Sequence, residues 1–234
     1  FRGSLIHAMI AAGHQLIACA PAETTGVGDE LQKIGVRFEP VRLSRAGLNL
    51  LADLRYRRML RRIVLRVRPD VVLAYTIKPV VHGIPVARRA GVTRCYALIT
   101  GLGASFNTTG IKGRLLRLIA ASLYRRALRD CEVIMVQNRD IADSFAAQGI
   151  TASAANVIVV AGSGIDTAKF TAQDFQAGPP VFLLLARMLR DKGVLEFVAA
   201  ARVVRGKLPE AKFLLVGDTD PNPAAISIEQ LRVW

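Results

Sequence analysis

The sequence predicts an α/β fold: a doubly wound parallel sheet with helices on both faces, followed by the start of a second unit of the same kind. Three observations support this prediction. Short β-branched apolar runs alternate with segments of helical periodicity. A Gly-Pro-Pro break at 178–180 interrupts the alternation, which then restarts. The chain has 234 residues and is 52% hydrophobic, so it can bury a sizeable core.

The apolar runs predict six strands before the break and two after it. They cover residues 16–20, 36–41, 71–75, 95–99, 133–136, 157–160, 181–186 and 211–216. The predicted helices cover residues 4–12, 27–34, 48–67, 81–90, 112–129, 139–148 and 194–205. Ser227 is a suitable N-cap for a last helix. We place a domain boundary near residue 175, which gives domains of residues 1–175 and 176–234.

Both ends of the sequence depart from the pattern of a complete fold. The chain opens inside a helix, whereas a doubly wound sheet normally opens with a central strand. It stops after two strands of the second domain, which is too few to close a sheet covered on both faces. We therefore expect a chain truncated at both ends, with the first strand missing and the second domain incomplete.

The composition narrows the classes of function. The formal net charge of +14 predicts an anionic partner, such as nucleic acid, an acidic membrane surface or a phosphorylated substrate. The segment from Gly101 to Gly103 lacks the third glycine of a dinucleotide fingerprint, which disfavours a nicotinamide-dependent enzyme. Cys19, Cys95 and Cys131 have no metal-ligand spacing, so we expect free buried thiols and no metal site. The absence of a signal-peptide layout suggests a cytosolic protein or one whose true start is missing.

The most informative stretch is the segment RMLRDKG at residues 187–193. It lies between a predicted strand and a predicted helix, so Arg187 and Lys192 are expected at the carboxyl end of the strand, where open α/β sheets bind ligands. The helix N-terminus adds free N–H groups and a partial positive charge. A planar guanidinium and a compact ammonium together suit a diphosphate. The alternative is two solvated charges in a loop.

A second set of candidates follows the third and fourth predicted strands. Thr76, Lys78 and His82 come after one strand, and Gly101 and Gly103 come after the next. Glycines at such a position permit a ligand to approach the backbone closely. His82 is a candidate proton acceptor or sugar contact. The alternatives are a helix-start histidine without chemistry and a tight turn at the glycines.

Two predicted helices carry rows of basic residues. The helix 48–67 has an apolar stripe formed by Ala52, Tyr56, Met59, Leu60, Ile63 and Val67. Its other sides carry Arg55, Arg57, Arg58, Arg61, Arg62 and Arg66. The helix 112–129 carries Lys112, Arg114, Arg117, Arg125, Arg126 and Arg129. We interpret both rows as contacts with an anionic membrane surface, with a solvated face as the alternative. Aromatic residues are sparse beside them, so nucleic acid is not expected.

The order and spacing of several short motifs resemble glycosyltransferase family 4, in particular its bacterial polysaccharide and lipid-linked-oligosaccharide members. The motifs are PDVV at 69–72, YTIKP at 75–79, TGLG at 100–103, QNRD at 137–140, GSGID at 162–166 and RMLRDKG at 187–193. The resemblance covers essentially the whole chain. It implies the two-domain GT-B fold, with an acceptor-side first domain and a donor-binding second domain.

The resemblance also implies a retaining glycosyltransferase of cell-envelope polysaccharide synthesis. The donor would be a nucleotide-diphosphate sugar, with a UDP-N-acetylhexosamine expected, and no cofactor would be needed. Arg187 and Lys192 would be catalytic, because they would stabilise the charge of the diphosphate leaving group. Gly193 and Gly164 would contribute to donor binding, with Gly164 also shaping the domain crossing that Asp166 caps.

The acceptor that the resemblance implies is a polyprenyl-diphosphate-linked or saccharide substrate, bound in the cytoplasm or peripherally at the inner face of the plasma membrane. The family's carboxylate motif, Glu-x7-Glu, would follow beyond the last residue of this sequence. Two other interpretations remain open. One is an inactive truncated fragment whose basic domain binds membrane. The other is a basic nucleic-acid-binding α/β domain, which would show a steep salt dependence of DNA affinity.

Overall fold

A computed structural model describes residues 3–21, 26–43, 49–101, 110–151, 156–174, 177–219 and 224–234, with the side chain of Lys112 excepted. The strands are β1 (Ile17–Ala20), β2 (Arg37–Pro40), β3 (Val71–Tyr75), β4 (Arg94–Ile99), β5 (Val133–Val136), β6 (Val157–Val159), β7 (Val181–Leu185) and β8 (Lys212–Val216). The helices are α1 (Gly3–Ala11), α2 (Val27–Lys33), α3 (Leu50–Val67), α4 (Ile84–Arg89), α5 (Gly110–Leu128), α6 (Arg139–Ala147), α7 (Val194–Lys207) and α8 (Ile228–Val233).

All strand pairs in the described residues are parallel. Strands β1 and β2 form one sheet, β3 to β6 form a second in the order β3-β4-β5-β6, and β7 and β8 form a third. A helix connects most successive strands, as parallel pairing requires. The predicted parallel α/β fold is therefore confirmed, and its predicted strands lie within one residue or so of the observed ones.

The chain divides into two compact units, Phe1–Phe170 and Thr171–Trp234. The first unit contains the sheets β1-β2 and β3 to β6, and the second contains β7-β8. The division falls shortly before residue 175, where the sequence analysis sets its boundary. Which unit serves acceptor or donor remains a prediction.

The largest core lies in the first unit, around strands β4 and β5. Cys95, Ala97 and Ile99 of β4 are almost fully buried, and helices cover them. Tyr124 of α5 and Phe145 of α6 are also fully buried, with ring centroids 5.1 Å apart. Burying two such rings removes a large apolar area from water and fixes both helices against the sheet.

Three of the helices begin with a side-chain cap. The backbone N–H of Ala52 donates to Asn49 Oδ1 at 3.0 Å at the start of α3. The N–H of Ile141 donates to Asn138 Oδ1 at 2.9 Å at the start of α6. The predicted cap of the last helix is confirmed, because the N–H of Gln230 donates to Ser227 Oγ at 3.1 Å. Each cap satisfies an N–H that has no partner within its helix.

One predicted helix differs in geometry from the expectation. The sequence predicts a regular helix over residues 81–90, but the structure has a π-helical turn over Pro79–Gly83, followed by α4. Pro85 explains the difference, because it has no N–H to donate to the fourth preceding carbonyl and its ring clashes with that carbonyl. The wider turn rotates the residues before Pro85 relative to a regular helix.

The prediction that all three cysteines are buried thiols is wrong for Cys19. Cys95 and Cys131 are buried and unpaired, but Cys19 is unpaired and exposed. Residues Ile17 and Cys19 point to the exposed face of β1, which pairs with β2 in a two-stranded sheet. In the part of the chain that the structure describes, no helix is both long and apolar enough to cross a bilayer.

Candidate active site

The first group of candidate residues lies at the carboxyl edge of the four-stranded sheet. Thr76 directly follows β3, and its N–H donates to the carbonyl of Leu98 on β4 at 3.2 Å. Gly101 follows β4, two residues after its end. Because β3 and β4 are parallel neighbours, both segments leave the sheet at the same edge. Gly103, the other predicted glycine, lies outside the described residues.

Asp53, which is not among the residues predicted from the sequence, links two of these candidates. Lys78 Nζ lies 2.8 Å from Asp53 Oδ1, and His82 Nε2 lies 3.7 Å from Asp53 Oδ2. All three side chains are largely buried. Asp53 is the one charged residue that is buried among the described residues. A buried carboxylate needs a cation or hydrogen-bond donors, and Lys78 supplies both.

The surroundings of His82 favour its neutral form. Burial lowers the pKa of His82 below its usual 6.5, and Arg57 and Lys78 lower it further, whereas the Asp53 carboxylate opposes these effects. The ring of Tyr56 meets the imidazole edge-on, with centroids 6.3 Å apart. A neutral imidazole offers one acceptor nitrogen and one donor nitrogen. His82 can therefore accept a hydrogen bond or a proton at neutral pH.

Thr76 has a strained backbone. Its φ angle is 70°, in the left-handed region that a β-branched residue rarely adopts. Such a conformation costs on the order of 1–3 kcal/mol and is found preferentially at functional sites.

Gly101 does not have a conformation that requires a glycine. Its φ is not positive, and a Cβ added there would meet no atom within 4 Å, so neither backbone nor packing among the described residues explains the glycine.

Together these residues form a small polar cluster that can hold a hydroxylated or anionic ligand. Lys78 supplies an ammonium, His82 a neutral imidazole and Thr76 a hydroxyl, all near the end of β3. The π-helical turn carries His82 into contact with Asp53, and π-helical turns are common at functional sites. Asp53 holds the two basic side chains together. The sequence predicted three members of this cluster and missed the residue that connects them.

The second group of candidates lies in the second unit, in the segment after β7. Met188 and Leu189 are buried there, whereas Arg187 and Lys192 are exposed. Backbone hydrogen bonds hold the segment: the N–H of Met188 donates to Asp218 O at 3.0 Å, and the N–H of Ile226 donates to Met188 O at 2.8 Å. The segment is therefore an anchored turn with charged side chains facing outward.

A short 3-10 helix, Arg190–Lys192, leads directly into α7. Gly193 is the N-cap of α7, has a φ of 76° and provides no side-chain cap. The left-handed conformation suits a glycine at this position. Arg187 and Lys192 thus flank the start of a 14-residue helix, whose first N–H groups add partial positive charge. This arrangement can bind phosphate oxygens.

The segment that carries Gly164 belongs to the first unit. Gly162 and Gly164 have φ angles of 73° and 67°, which glycine adopts without strain. The N–H groups of Ala168 and Lys169 donate to Asp166 Oδ1 at 3.0 and 3.3 Å. The predicted capping role of Asp166 is therefore confirmed. A role of Gly164 in donor binding stays a prediction.

Comparison with known proteins shows which family this chain resembles. The profile of a family described as a glycosyl transferase 4-like domain matches residues 2–162. One relative is the N,N'-diacetylbacillosaminyl-diphospho-undecaprenol alpha-1,3-N-acetylgalactosaminyltransferase of Campylobacter jejuni. It is 27% identical over 216 residues, which is 87% of this chain and 56% of the relative.

Two solved structures are also similar. The calicheamicin glycosyltransferase CalG4 has a TM-score of 0.51 and 14% identity, covering 93% of this chain and 62% of CalG4. MurG of Acinetobacter baumannii has a TM-score of 0.49 and 13% identity, covering 91% of this chain and 60% of MurG. The similarity to CalG4 shows that the two proteins share a fold.

This chain spans little more than half the length of the relatives that it matches. The family profile nevertheless matches well over half of the chain itself. The motifs resembling glycosyltransferase family 4, the parallel α/β fold and this match agree with one another. The chain therefore belongs to the glycosyl transferase 4-like domain family.

Proposed function

We propose that this chain is part of a retaining glycosyltransferase that transfers a sugar from a nucleotide-diphosphate sugar to a lipid-linked or saccharide acceptor. The observation that supports it most strongly is the family match over residues 2–162. The Campylobacter relative, by its name, transfers N-acetylgalactosamine to a sugar carried on diphospho-undecaprenol. We therefore favour an N-acetylhexosamine as the donor sugar and a diphosphate-linked lipid as the acceptor carrier.

In this proposal, the segment before α7 binds the donor. Negative charge accumulates on the diphosphate as the sugar–phosphate bond breaks, and preorganised cations lower the free energy of that transition state. Arg187 offers a planar fork of donors, Lys192 a compact ammonium, and the start of α7 at Gly193, which has no side-chain cap, adds partial positive charge. These groups would stabilise the leaving diphosphate through electrostatics, without a cofactor.

The cluster at the end of β3 is the proposed acceptor site. Lys78 and the hydroxyl of Thr76 can donate hydrogen bonds to a sugar or phosphate oxygen, and neutral His82 can accept one from a hydroxyl. Among the described residues nothing lies within 4 Å of a Cβ built at Gly101, which would let the ligand come close to the backbone there. Unpaired thiols at all three cysteines, which all lie in the described residues, support a reducing compartment such as the cytoplasm.

Nucleotide binding tests the donor half of the proposal directly. We would titrate the chain with UDP and with a UDP-N-acetylhexosamine in a calorimeter, and repeat this for Arg187→Ala and Lys192→Ala. Loss of one charge-assisted contact should raise the dissociation constant about tenfold or more, because such contacts contribute roughly 1.5–3 kcal/mol. Arg202→Ala is the matched control, since Arg202 is exposed about 12 Å further along α7.

Equal affinities in all four proteins, or no nucleotide binding by the unsubstituted chain, would contradict the donor role of this segment. Stereochemistry tests the retaining mechanism separately. In any transfer reaction that is observed, the anomeric proton coupling of the product should match that of the donor sugar. An inverted product would rule out retention while leaving the binding result intact.

A further inference from the structure

Two helices of the first unit expose large apolar side chains in their first turns. On α3, Leu50 is 83% exposed and Leu51 is 69% exposed. On α5, Ile111 is 88% exposed and Leu118 is 68% exposed. We call the full set the apolar rim: Leu50, Leu51, Leu54, Ile111, Leu115, Leu118 and Ile119. Exposed apolar clusters of this kind typically mark an interaction surface.

Both parts of the apolar rim lie at the carboxyl edge of the sheet. α3 ends only a few residues before β3 begins, so its first turns lie beside the end of β3, and the contact between Asp53 and Lys78 confirms this. α5 leaves from the end of β4 and returns to the start of β5, so it also begins at that edge. Both helices pack against the π-helical turn Pro79–Gly83, which puts them on the same face of the sheet.

Arginines follow the apolar side chains along the same exposed side of each helix. On α3 the row runs Leu51, Arg55, Arg58 and Arg62, and on α5 it runs Leu115, Leu118, Ser122, Arg125 and Arg129, in steps of three or four residues. We call the exposed set the basic belt: Arg55, Arg58, Arg61, Arg62, Arg125, Arg126 and Arg129. Arg66 is excluded, because its guanidinium lies 2.6 Å from the largely buried carboxylate of Glu39. Arg129 stays in the set, because its Nε lies 3.8 Å from the more exposed carboxylate of Asp130.

The belt on α5 also borders a shallow depression of about 390 Å³, lined by Ser122, Arg125, Arg126 and Arg129. The Arg125 side chain is held in place there, since its Nε donates to Gly149 O at 2.6 Å and a terminal nitrogen donates to Gln148 O at 3.0 Å. Arg125 and Arg129 therefore already have partners, Arg129 with Asp130 at 3.8 Å, and their positive charge together with Arg126 makes the depression attractive to a phosphate headgroup.

We propose that the apolar rim inserts into an anionic bilayer while the basic belt contacts the headgroup phosphates, so that the carboxyl edge of the sheet faces the membrane. The spacing supports this orientation. Along the helix axis, Leu51 and Arg55 are about 6 Å apart, and Leu118 and Arg125 are about 10 Å apart. Interfacial apolar faces enter about 5–10 Å into the boundary between headgroups and acyl chains. Arg114, exposed beside Leu115, can extend its charge toward the headgroups.

Charge complementarity favours a bilayer over other occupants of this surface. A second copy of the chain would bring together two proteins that each carry a formal net charge of +14. An anionic membrane offers hydrocarbon for the rim and phosphates for the nearest arginines of the belt. The sequence predicts only the arginine rows, and the structure adds the apolar component and the orientation. If the proposed function holds, this orientation brings the cluster of Thr76, Lys78 and His82 to the level of a lipid-linked acceptor.

Vesicle co-sedimentation tests the docking. The probe is a set of vesicles of phosphatidylcholine alone or mixed with phosphatidylglycerol, at two salt concentrations. Leu115→Ser/Leu118→Ser should weaken binding to the anionic vesicles at least tenfold, because two exposed leucines no longer enter the bilayer. Arg58→Ala/Arg62→Ala should reduce the preference for anionic vesicles and the salt dependence. Leu65→Ser is the matched control, since Leu65 is exposed at the other end of α3 and should bind like the unsubstituted chain.

Fluorescence quenching tests the insertion of the apolar rim into the bilayer. In a Trp234→Phe background, Ile111→Trp fluorescence should be quenched by lipids brominated near the headgroup, and Leu65→Trp fluorescence should not. The proposal is overturned if the rim variant binds like the unsubstituted chain, if neither vesicle binds, or if light scattering shows a dimer that the rim substitutions abolish. UDP titration of the same samples separates the two proposals. If the chain binds UDP but not the vesicles, only the membrane proposal fails. If it binds the vesicles but not UDP, only the proposed donor site fails.

Discussion

Asp53 determines the electrostatics of the candidate acceptor site. Its carboxylate is largely removed from water, so it depends on Lys78 at 2.8 Å for compensation. The same carboxylate lies 3.7 Å from His82, where it favours the protonated imidazole against burial and against the charges of Arg57 and Lys78. One residue therefore fixes the position of an ammonium and moderates the proton affinity of an imidazole.

Asp53→Asn should lower the pKa of His82 further below 6.5. The sign follows from the opposing influences: the substitution removes the negative charge that favours the imidazolium, and it leaves the burial and the positive charges of Arg57 and Lys78 that disfavour it. An NMR titration of the imidazole resonances measures this directly. Asp143→Asn, an exposed change on α6, is the control and should leave the titration of His82 unaltered. An unchanged or raised pKa of His82 in Asp53→Asn would show that the carboxylate is not its electrostatic partner.

At the scale of elements, the backbone of Gly217 lies against the carbonyl of Ala186 where strands β7 and β8 end. The N–H of Ala186 donates to Val216 O at 3.0 Å as the chain leaves the two strands. Gly217 has a φ of 149°, and a Cβ built there would overlap the carbonyl oxygen of Ala186. Only a glycine fits between the two backbones at this point. The geometry of the segment that carries Arg187 therefore depends on a residue with no side chain.

Gly217→Ala should lower the free energy of unfolding of the second unit by about 2 kcal/mol or more, because the backbone must leave a conformation open only to glycine and the two strand ends must separate. Gly206→Ala provides a matched comparison. Gly206 lies near the end of α7 with nothing within 4 Å of an added Cβ, so alanine should raise stability there by about 0.5–1 kcal/mol. Urea denaturation of both variants measures the difference, and equal effects of the two substitutions would contradict it.

The elements themselves were largely predictable because their signals are local. Strands β3 and β5 follow from short β-branched apolar runs and match the structure residue for residue. The π-helical turn and the 3-10 helix Arg190–Lys192 were not predicted, because a proline and a left-handed glycine alter a helical pattern that periodicity alone cannot resolve. Asp53 was missed for a different reason. It lies 25 positions before Lys78, and a lone carboxylate on a basic helix resembles a surface residue until its partner is known.

At the scale of the whole molecule, the two units differ in how much apolar surface they bury. Buried apolar residues described in the first unit form two clusters, and the larger one includes Tyr124 and Phe145. In the second unit, the cluster of fully buried residues consists of Met188, Val194 and Ile226, with partly buried neighbours around it. Stability scales with the apolar area removed from water, so the two units should open with different free energies.

Hydrogen exchange should resolve this difference strand by strand. Strands β4 and β5 each have a hydrogen-bonded neighbour on both sides within the four-stranded sheet and lie in the larger core, so their amides should exchange more slowly than those of β7 and β8. Amides of β7 and β8 should exchange at least tenfold faster, because each strand has one neighbour in the described sheet, and Val181, Leu183 and Leu185 are more than half exposed. Mass spectrometry of peptides covering each strand, with rates followed over a range of pH to confirm that opening is at equilibrium, makes the comparison. Protection of β8 equal to that of β4 would mean that the stability of the second unit does not follow from its buried area. A gradient in the expected direction would show that the strands next to the segment of Arg187 and Lys192 open more readily than β4, so that a nucleotide bound at that segment should slow the exchange of β7 and β8 while leaving β4 unchanged.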